Sequence, residues 1–308
     1  MTTRELRPVE IVMVAYLVMM AIIGLLSDIS WRIPAGCLPA AASVLATAWI
    51  GGRPGAGRKA ALLRYAAPLL VLPVAYDAAA RAALVVHGGY LDADVRAFEH
   101  AVFGFSPNAA ANAFATAPLT EFLTFCYFLF YGAFLLPLIL RARGRAALAE
   151  RYLFATLLTL LICYAGFMTL PLAGPLTGAV QRPGGYLVTA VQTEIMAALD
   201  PPGTCFPSPH VAGAWITLLT LRRHAAPAAR LALWVLTLGL TVAVVYDGYH
   251  YVTDAVAGLA VALAVHALTT RRGTPRPAPP WARSPARAPR RPARTSTPGD
   301  AAREPCPD

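Results

Sequence analysis

The sequence predicts an all-α fold, a polytopic membrane helix bundle of about eight transmembrane helices. Three observations carry that expectation. Of the 308 residues, 57% are hydrophobic and only 14% are charged, whereas a soluble chain carries about a quarter charged residues. Apolar runs recur along the chain and approach the roughly 20 residues that span a bilayer. Arginine and lysine gather in every second connection between those runs, the asymmetry that sets orientation in membrane proteins. Lipid offers backbone groups no partner, so outside closed barrels the spanning segments must be helices.

Residues 1–8 are basic, with Arg4 and Arg7, and residues 9–26 form the first span. That run is long enough to cross and lacks a small-residue cleavage site, so it is expected to be retained rather than removed as a signal peptide. A brief connection holds Asp28 and Arg32, residues 34–50 return, and a Gly/Pro loop at 51–57 leads to Arg58, Lys59 and Arg64. The third span, 65–86, is unusual in holding Pro68, Pro73, Asp77 and Arg81. Residues 87–118 are too polar and broken to cross. Within them 94–103 reads as an amphipathic helix lying at the interface, with Val95, Phe98, Val102 and Phe103 on its apolar side. Residues 119–140 and 152–170 are the fourth and fifth spans, separated by Arg141, Arg143 and Arg145. A long Pro/Gly-rich loop, 171–207, includes a helical piece at 187–199. The sixth and seventh runs, 211–221 and 231–246, are joined by a basic turn with Arg222, Arg223, His224 and Arg230, and the eighth runs from Tyr249 to about Leu268. From Arg271 onward the chain is rich in Pro, Arg and Ala, a composition expected to be disordered. The organisation is thus two N-terminal helices with a basic loop (1–64), a six-helix membrane domain (65–270) and a basic tail (271–308).

With alternating spans, the basic segments 1–8, 51–64, 141–151, 222–230 and the tail share one face. The other face holds Arg32, Arg96 and Arg182 with Asp92, Asp94, Glu99 and Glu194. The positive-inside rule then makes both termini cytoplasmic and places His210 and His250 on the extracytoplasmic face, with the plasma membrane as the expected location. The net charge of +10 lies mostly in loops and tail, where it suits anionic lipid, and no nucleic-acid partner is expected. The five cysteines, Cys37, Cys126, Cys163, Cys205 and Cys306, show neither metal-ligand spacing nor a paired framework and read as small packing residues.

Chemistry concentrates at the ends of the sixth-to-seventh hairpin. If both runs cross and return, His210 and His250 arrive at one membrane surface. His250 and Asp254 are spaced i, i+4, hence on one helix face. A carboxylate there takes the proton of one ring nitrogen and leaves the other free as nucleophile or base. The same pair, alone, would equally serve as a contact that stabilises a helix end. His210 follows Pro207-Ser208-Pro209, where loop turns into helix. Free amides there, with Ser208, can hold an anion, and a second histidine within reach can protonate a leaving oxygen. A histidine that merely ends a helix is the alternative, but two such sites on one face together argue for catalysis.

Phe206-Pro207-Ser208-Pro209-His210-Val211-Ala212 resembles the second signature of the type 2 phosphatidic acid phosphatase superfamily. His250-Tyr251-Val252-Thr253-Asp254, followed by Gly258, resembles the third. The phenylalanine before Pro-Ser and the His-Tyr pair are similar to the branch containing inositol phosphorylceramide synthases and their bacterial relatives. Leu170-Pro171-Leu172-Ala173-Gly174-Pro175 resembles that branch's proline-rich loop. The resemblance implies a six-helix phosphatase-like core acting on a lipid phosphate ester in the outer half of the membrane. It implies that His250 attacks phosphorus to give a phosphohistidine, that Asp254 orients His250, and that His210 protonates the leaving group and then activates the second acceptor. Ser208 would hold a phosphoryl oxygen, and no metal or other cofactor is implied. The acceptor stays open between water and an alcohol such as inositol or a lipid alcohol.

The sequence also departs from the superfamily pattern. The arginine expected six residues before the nucleophile is Val244, the preceding serine position is Ala243, and no lysine–arginine–proline first signature is visible. A phosphoryl group still needs donors, and Arg81 and Arg182 are the substitutes proposed from sequence. Arg81 has a competing role as partner of Asp77, and Arg182 as a solvated loop charge. Asp247 reads as a loop acid, Tyr249 and Tyr251 as interfacial belt residues, and His87, His100, His224 and His266 lie outside the expected site. A non-enzymatic transporter using Asp77 and Arg81 as a path is the reading of another class. Such folds show paired broken repeats, and none is visible.

Overall fold

A computed structural model of the chain describes residues 5–27, 29–177 and 182–271. Asp28, Cys306 and the basic tail expected beyond Arg271 lie outside the described residues. Among the described residues the fold is helical without strands. Seven segments are long and apolar enough to cross a membrane, so the chain is an integral membrane protein.

The first two are α1 (Pro8–Leu26) and α2 (Arg32–Gly51), packed on each other. They contribute Met13, Leu17, Met20, Cys37 and Val44 to the same apolar core as Leu153, Leu160, Val211 and Leu240. The third span is longer than the apolar run suggests and broken: α3 (Arg58–Leu70) gives way at Val71 to α4 (Leu72–Ala82). Pro73 causes the break, because it has no N–H for the preceding turn yet suits the first turn of a new helix. Arg58 and Arg64 therefore lie on the helix rather than in the loop before it. Glu10, fully buried on α1, accepts from Arg7 and Arg64 at 2.8 Å each, and Arg7 reaches Glu150 at 3.0 Å. A buried carboxylate is tolerable only when its oxygens are satisfied in this way.

The expected interfacial helix exists as α5 (Asp92–Phe103), with Val95 the one member of its expected apolar side that turns inward. Phe98 and Val102 are exposed at 57% and 58%, whereas Asp92, Val95 and Glu99 are buried. The apolar stripe looks outward, as in a helix that meets lipid, and two acids face the protein. A short α6 (Pro107–Asn112) follows, which the sequence reading did not anticipate.

The fourth span comprises α7 (Ala117–Phe128), a tighter 3-10 stretch at Leu129–Leu135 and α8 (Leu136–Ala142), with Pro137 in the first turn of α8. The fifth is α9 (Ala146–Gly166). The helical piece in the long loop is α10 (Leu187–Leu199), with the expected boundaries. Its N-terminus is held by Glu121, which accepts from the N–H groups of Tyr186 and Thr189 at 2.8 and 3.2 Å and from the Thr189 hydroxyl at 2.8 Å. A carboxylate at a helix start satisfies orphan donors and the dipole together.

α11 (Pro209–Leu221), α12 (Pro227–Tyr246) and α13 (Val252–Arg271) complete the bundle. α11 is apolar but has only 13 residues. At 1.5 Å per residue it covers roughly 20 Å, short of the roughly 30 Å hydrocarbon core. It packs on α9, α12 and α13, so the residues at its start are enclosed by neighbouring helices.

Candidate active site

Two backbone devices bring the two histidine motifs together. At the start of α11, the Ser208 hydroxyl accepts from Val211 N at 3.3 Å and caps the helix. Ser208 N donates to Asp254 O at 3.0 Å, tying the first motif to the second. Between α12 and α13 the chain turns through Gly248, whose φ of 76° is left-handed and suits glycine. Asn108 of α6, fully enclosed, donates from one amide to Val245 O at 2.8 Å and to His250 O at 3.0 Å. The unanticipated short helix thus clamps the turn that carries His250.

The two imidazoles meet. His250 Nε2 and His210 Nδ1 are 3.5 Å apart, with ring centroids separated by 5.7 Å. The far nitrogen of each ring faces its own neighbour. His250 Nδ1 lies 3.5 Å from Asp254 Oδ2, within ion-pair reach but longer than a hydrogen bond. Asp254 Oδ2 also accepts from Tyr251 N at 2.9 Å. His210 Nε2 shares a 2.9 Å hydrogen bond with the Tyr127 hydroxyl, and the tyrosine ring stacks on the imidazole at 4.6 Å. A hydroxyl serves as donor or acceptor, so this contact survives a change of tautomer on His210.

Arg182 lies against Tyr249, the residue before His250. Its guanidinium sits 4.8 Å above the Tyr249 ring, and its buried Nε has no hydrogen-bond partner among the described residues. A cavity of about 220 Å³ is lined by Arg182, Asp200, Thr204, Cys205, Gly248 and Tyr249, among others. Arg81, by contrast, is held bidentate by Asp77 at 2.7 and 2.9 Å and is not among the residues lining that cavity. Ser208 is fully buried, with its oxygen engaged in capping. Val244 and Ala243, at the positions of the missing arginine and serine, are core residues without exposure.

Cys205, His250 and Asp254 offer ligand atoms within 4.8 Å of one another, the one such group found among the described residues. A metal there would take the nitrogen and carboxylate that orient His250, and burial pushes the Cys205 thiol pKa up, against the thiolate a metal needs. The donor set therefore suits proton and phosphoryl chemistry better than a resident ion.

With two converging histidines and a carboxylate behind one of them, the comparison with known families is decisive. The PAP2 superfamily pattern matches residues 93–268, more than half of the chain and the whole of this site. The chain belongs to the PAP2 superfamily. Phosphatase- or phosphotransferase-type chemistry goes with that membership. No curated protein and no solved structure matches the chain.

Several residues of this PAP2 site escaped sequence reasoning. Tyr249 and Tyr251 are 8% and 2% exposed, not belt residues. Tyr251 donates to Asp92 Oδ1 at 3.0 Å, and Asp92 also accepts from Ala173 N and Gly174 N at 2.9 Å. Glu99 accepts from Thr253 N at 2.7 Å and so caps α13. The two acids of α5 thereby fix the ends on which His250 and the Pro-rich loop depend. Their seven-residue spacing, which puts both acids on one helix face, was the available signal. Tyr127 had none, being one aromatic in an apolar span.

Asp247 is buried, and burial pushes its carboxyl up to about 7 against the pull of Arg182 and the Thr124 hydroxyl. Unfolded, the group returns to an ordinary carboxylate value of about 3.9. Between those values the folded protein binds more protons than the unfolded chain, so this group's contribution to stability falls as pH rises from about 4 to 7. Asp247→Asn is expected to flatten that decline in thermal-unfolding midpoints taken across the interval. A slope identical to that of the unsubstituted protein would remove Asp247 as its source.

Proposed function

We propose that this protein cleaves a lipid phosphate ester through a phosphohistidine on His250 and passes the phosphoryl-bearing group to water or an alcohol. The observation that carries the reading is the facing of His250 Nε2 and His210 Nδ1 at 3.5 Å, each ring held from behind, by Asp254 and by Tyr127.

The steps follow from those contacts. Asp254 holds the proton on His250 Nδ1, so the Nε2 lone pair attacks phosphorus. The bond from phosphorus to the leaving oxygen breaks, and that oxygen takes the Nδ1 proton of His210, which enters the step as imidazolium and leaves it neutral. His210, now a base, removes a proton from the acceptor hydroxyl, whose oxygen attacks the phosphohistidine and frees His250. A near-attack N···P distance of about 3 Å plus a hydrogen bond of about 2.8 Å to the leaving oxygen exceeds the observed 3.5 Å between the nitrogens. Substrate entry therefore requires the rings to separate.

Arg182 is the cation we assign to the phosphoryl oxygens in place of the missing arginine, and Arg81 is left to Asp77. Ser208 acts by capping α11, and its hydroxyl proton, which capping does not use, is available to a phosphoryl oxygen. Arg182→Gln is expected to lower kcat/KM about 10- to 100-fold, the loss typical of a charge-assisted donor. The substitution should leave the unfolding midpoint near that of the unsubstituted protein, which separates lost binding from lost fold. Unchanged kinetics would return Arg182 to the role of a loop charge.

The His-Tyr pair and the Phe-Pro-Ser run favour the branch related to inositol phosphorylceramide synthases, so transfer to an alcohol such as inositol or a lipid alcohol is the second reading. We further assign the site to the extracytoplasmic side of the plasma membrane, from the charge asymmetry of the loops. The test of the whole is a rapid acid-free quench of purified protein with lipid phosphates carrying labelled phosphorus. Acid-labile label on the His250 peptide is expected. Turnover without any protein-bound label would overturn the intermediate.

A further inference from the structure

Asp200, at the end of α10, plays no part in the steps above, yet it is a half-buried carboxylate on the border of two cavities. The first is the polar cavity of about 220 Å³ that also contains Arg182, Cys205 and Tyr249. The second, about 180 Å³, is walled by apolar and aromatic side chains such as Leu72, Phe130 and Leu160, and reaches His210. Asp200 and Met196 line both. The carboxylate has one committed oxygen. Oδ1 accepts from the Tyr76 hydroxyl and, at 3.1 Å, from the Thr204 hydroxyl. Among the described residues no hydrogen bond falls on Oδ2.

The charges of the polar cavity constrain what fits. Arg182 at one wall attracts an anion. Asp200 at the other repels one, and its unused oxygen asks for a donor. Burial pushes the Asp200 carboxyl up, while the Tyr76 bond and the charges of His250 and Arg182 oppose that rise. Asp200 lines the cavity and is only half-buried, so a ligand there can reach its unused oxygen. A bare phosphate monoester satisfies Arg182 and leaves Asp200 opposed. A group that is anionic at one end and hydroxylated at the other satisfies both.

We propose that Asp200 is a binding residue of this site, its Oδ2 accepting hydrogen bonds from the hydroxyl groups of a neutral polyol. The polyol is either the headgroup of the phosphate donor or the incoming acceptor, and the chemistry at Asp200 is the same in both. The inference rests on the proposed phosphoryl chemistry for its meaning, but its test does not.

The experiment is saturation-transfer NMR on the full-length detergent-solubilised protein, with glycerol, myo-inositol and glycerol 3-phosphate as separate probes. The wild-type protein is expected to transfer saturation to at least one probe. Asp200→Asn, nearly isosteric and folded by gel filtration, is expected to reduce that signal at least fivefold. Ala197→Leu, which adds bulk to the polar cavity away from the Asp200 hydroxyl partners, is expected to reduce it in parallel and covers the case of a misfolded Asp200 variant. Signal from the free polyols assigns the acceptor, and signal from glycerol 3-phosphate alone assigns the donor headgroup. Absence of signal from every probe, or equal signal from wild type and both variants, overturns the proposal. His250→Ala should keep the signal while losing lipid-phosphate turnover. Were that turnover instead retained, the phosphohistidine reading would fail with the Asp200 contact intact.

Discussion

His250→Ala is expected to lower turnover of a lipid phosphate by at least about a thousandfold, the scale seen when a nucleophile is removed from a catalytic unit. The reasoning is local. Nε2 of His250 is the nitrogen facing the second imidazole, and among the described residues no other nucleophilic side chain is found in contact with both histidines. His210 would retain its Tyr127 bond at 2.9 Å and its stacking, so the general acid stays in place without anything to attack phosphorus. Alanine also leaves Asp254, fully buried, without its imidazole neighbour. A modest loss of thermal stability should accompany the loss of activity, because an unpaired buried carboxylate is unfavourable. His250→Asn separates the two effects. Its amide donates to Asp254 and restores much of the stability, yet it has no ring nitrogen and stays inactive. Measured phosphate release, with the unfolding midpoint of each variant beside it, decides the matter. Retention of more than a tenth of wild-type turnover in either variant would remove His250 from the nucleophile's position.

Much of this architecture was legible in the residues, and the failures share a cause. Spans were readable because length and apolarity alone define them. The helix at Leu187–Leu199 was readable because Pro and Gly bracket it. The convergence of His210 and His250 followed from the parity of one hairpin. Misreadings arose where membrane logic inverts the soluble rule. On α5 the outward stripe of Phe98 and Val102 was legible, but Val95 was grouped with it and is buried, because lipid is as apolar as a core and an apolar pattern alone does not tell which side packs. Tyr249 and Tyr251 were given to the interface for the same reason, although both are enclosed. Tyr127, Asp92, Glu99 and Asp200 are contacts between segments 69 to 159 residues apart, and no periodicity encodes such pairings. Arg81 shows the opposite limit. Its i, i+4 partner Asp77 was visible in sequence, and the local pair is the contact the structure makes.

Gly258→Val is expected to cost activity far beyond its cost in stability, and the reason lies in how the two motifs are spaced. A Cβ at Gly258 would sit 2.5 Å from Ser208 O and 3.3 Å from Ala212 N. Both are backbone atoms of the first turn of α11, so no rotamer change relieves the contact. Small residues at such crossings let membrane helices approach closely, and here the approach sets the distance between the imidazoles. Valine must push α11 away from α13 or tilt it, disturbing the Ser208 N to Asp254 O bond of 3.0 Å on the way. Overpacking of this kind costs about 1–3 kcal/mol in stability. A displacement of about 1 Å at reacting groups costs on the order of a hundredfold in rate. kcat/KM should therefore fall at least about a hundredfold in protein that still purifies folded. Gly57→Ala is the control, since nothing lies within 4 Å of the added atom there, and it should keep full activity. Wild-type kinetics in Gly258→Val would mean that α11 and α13 slide without consequence for the site. The geometry of the two histidines would then owe nothing to the helix crossing.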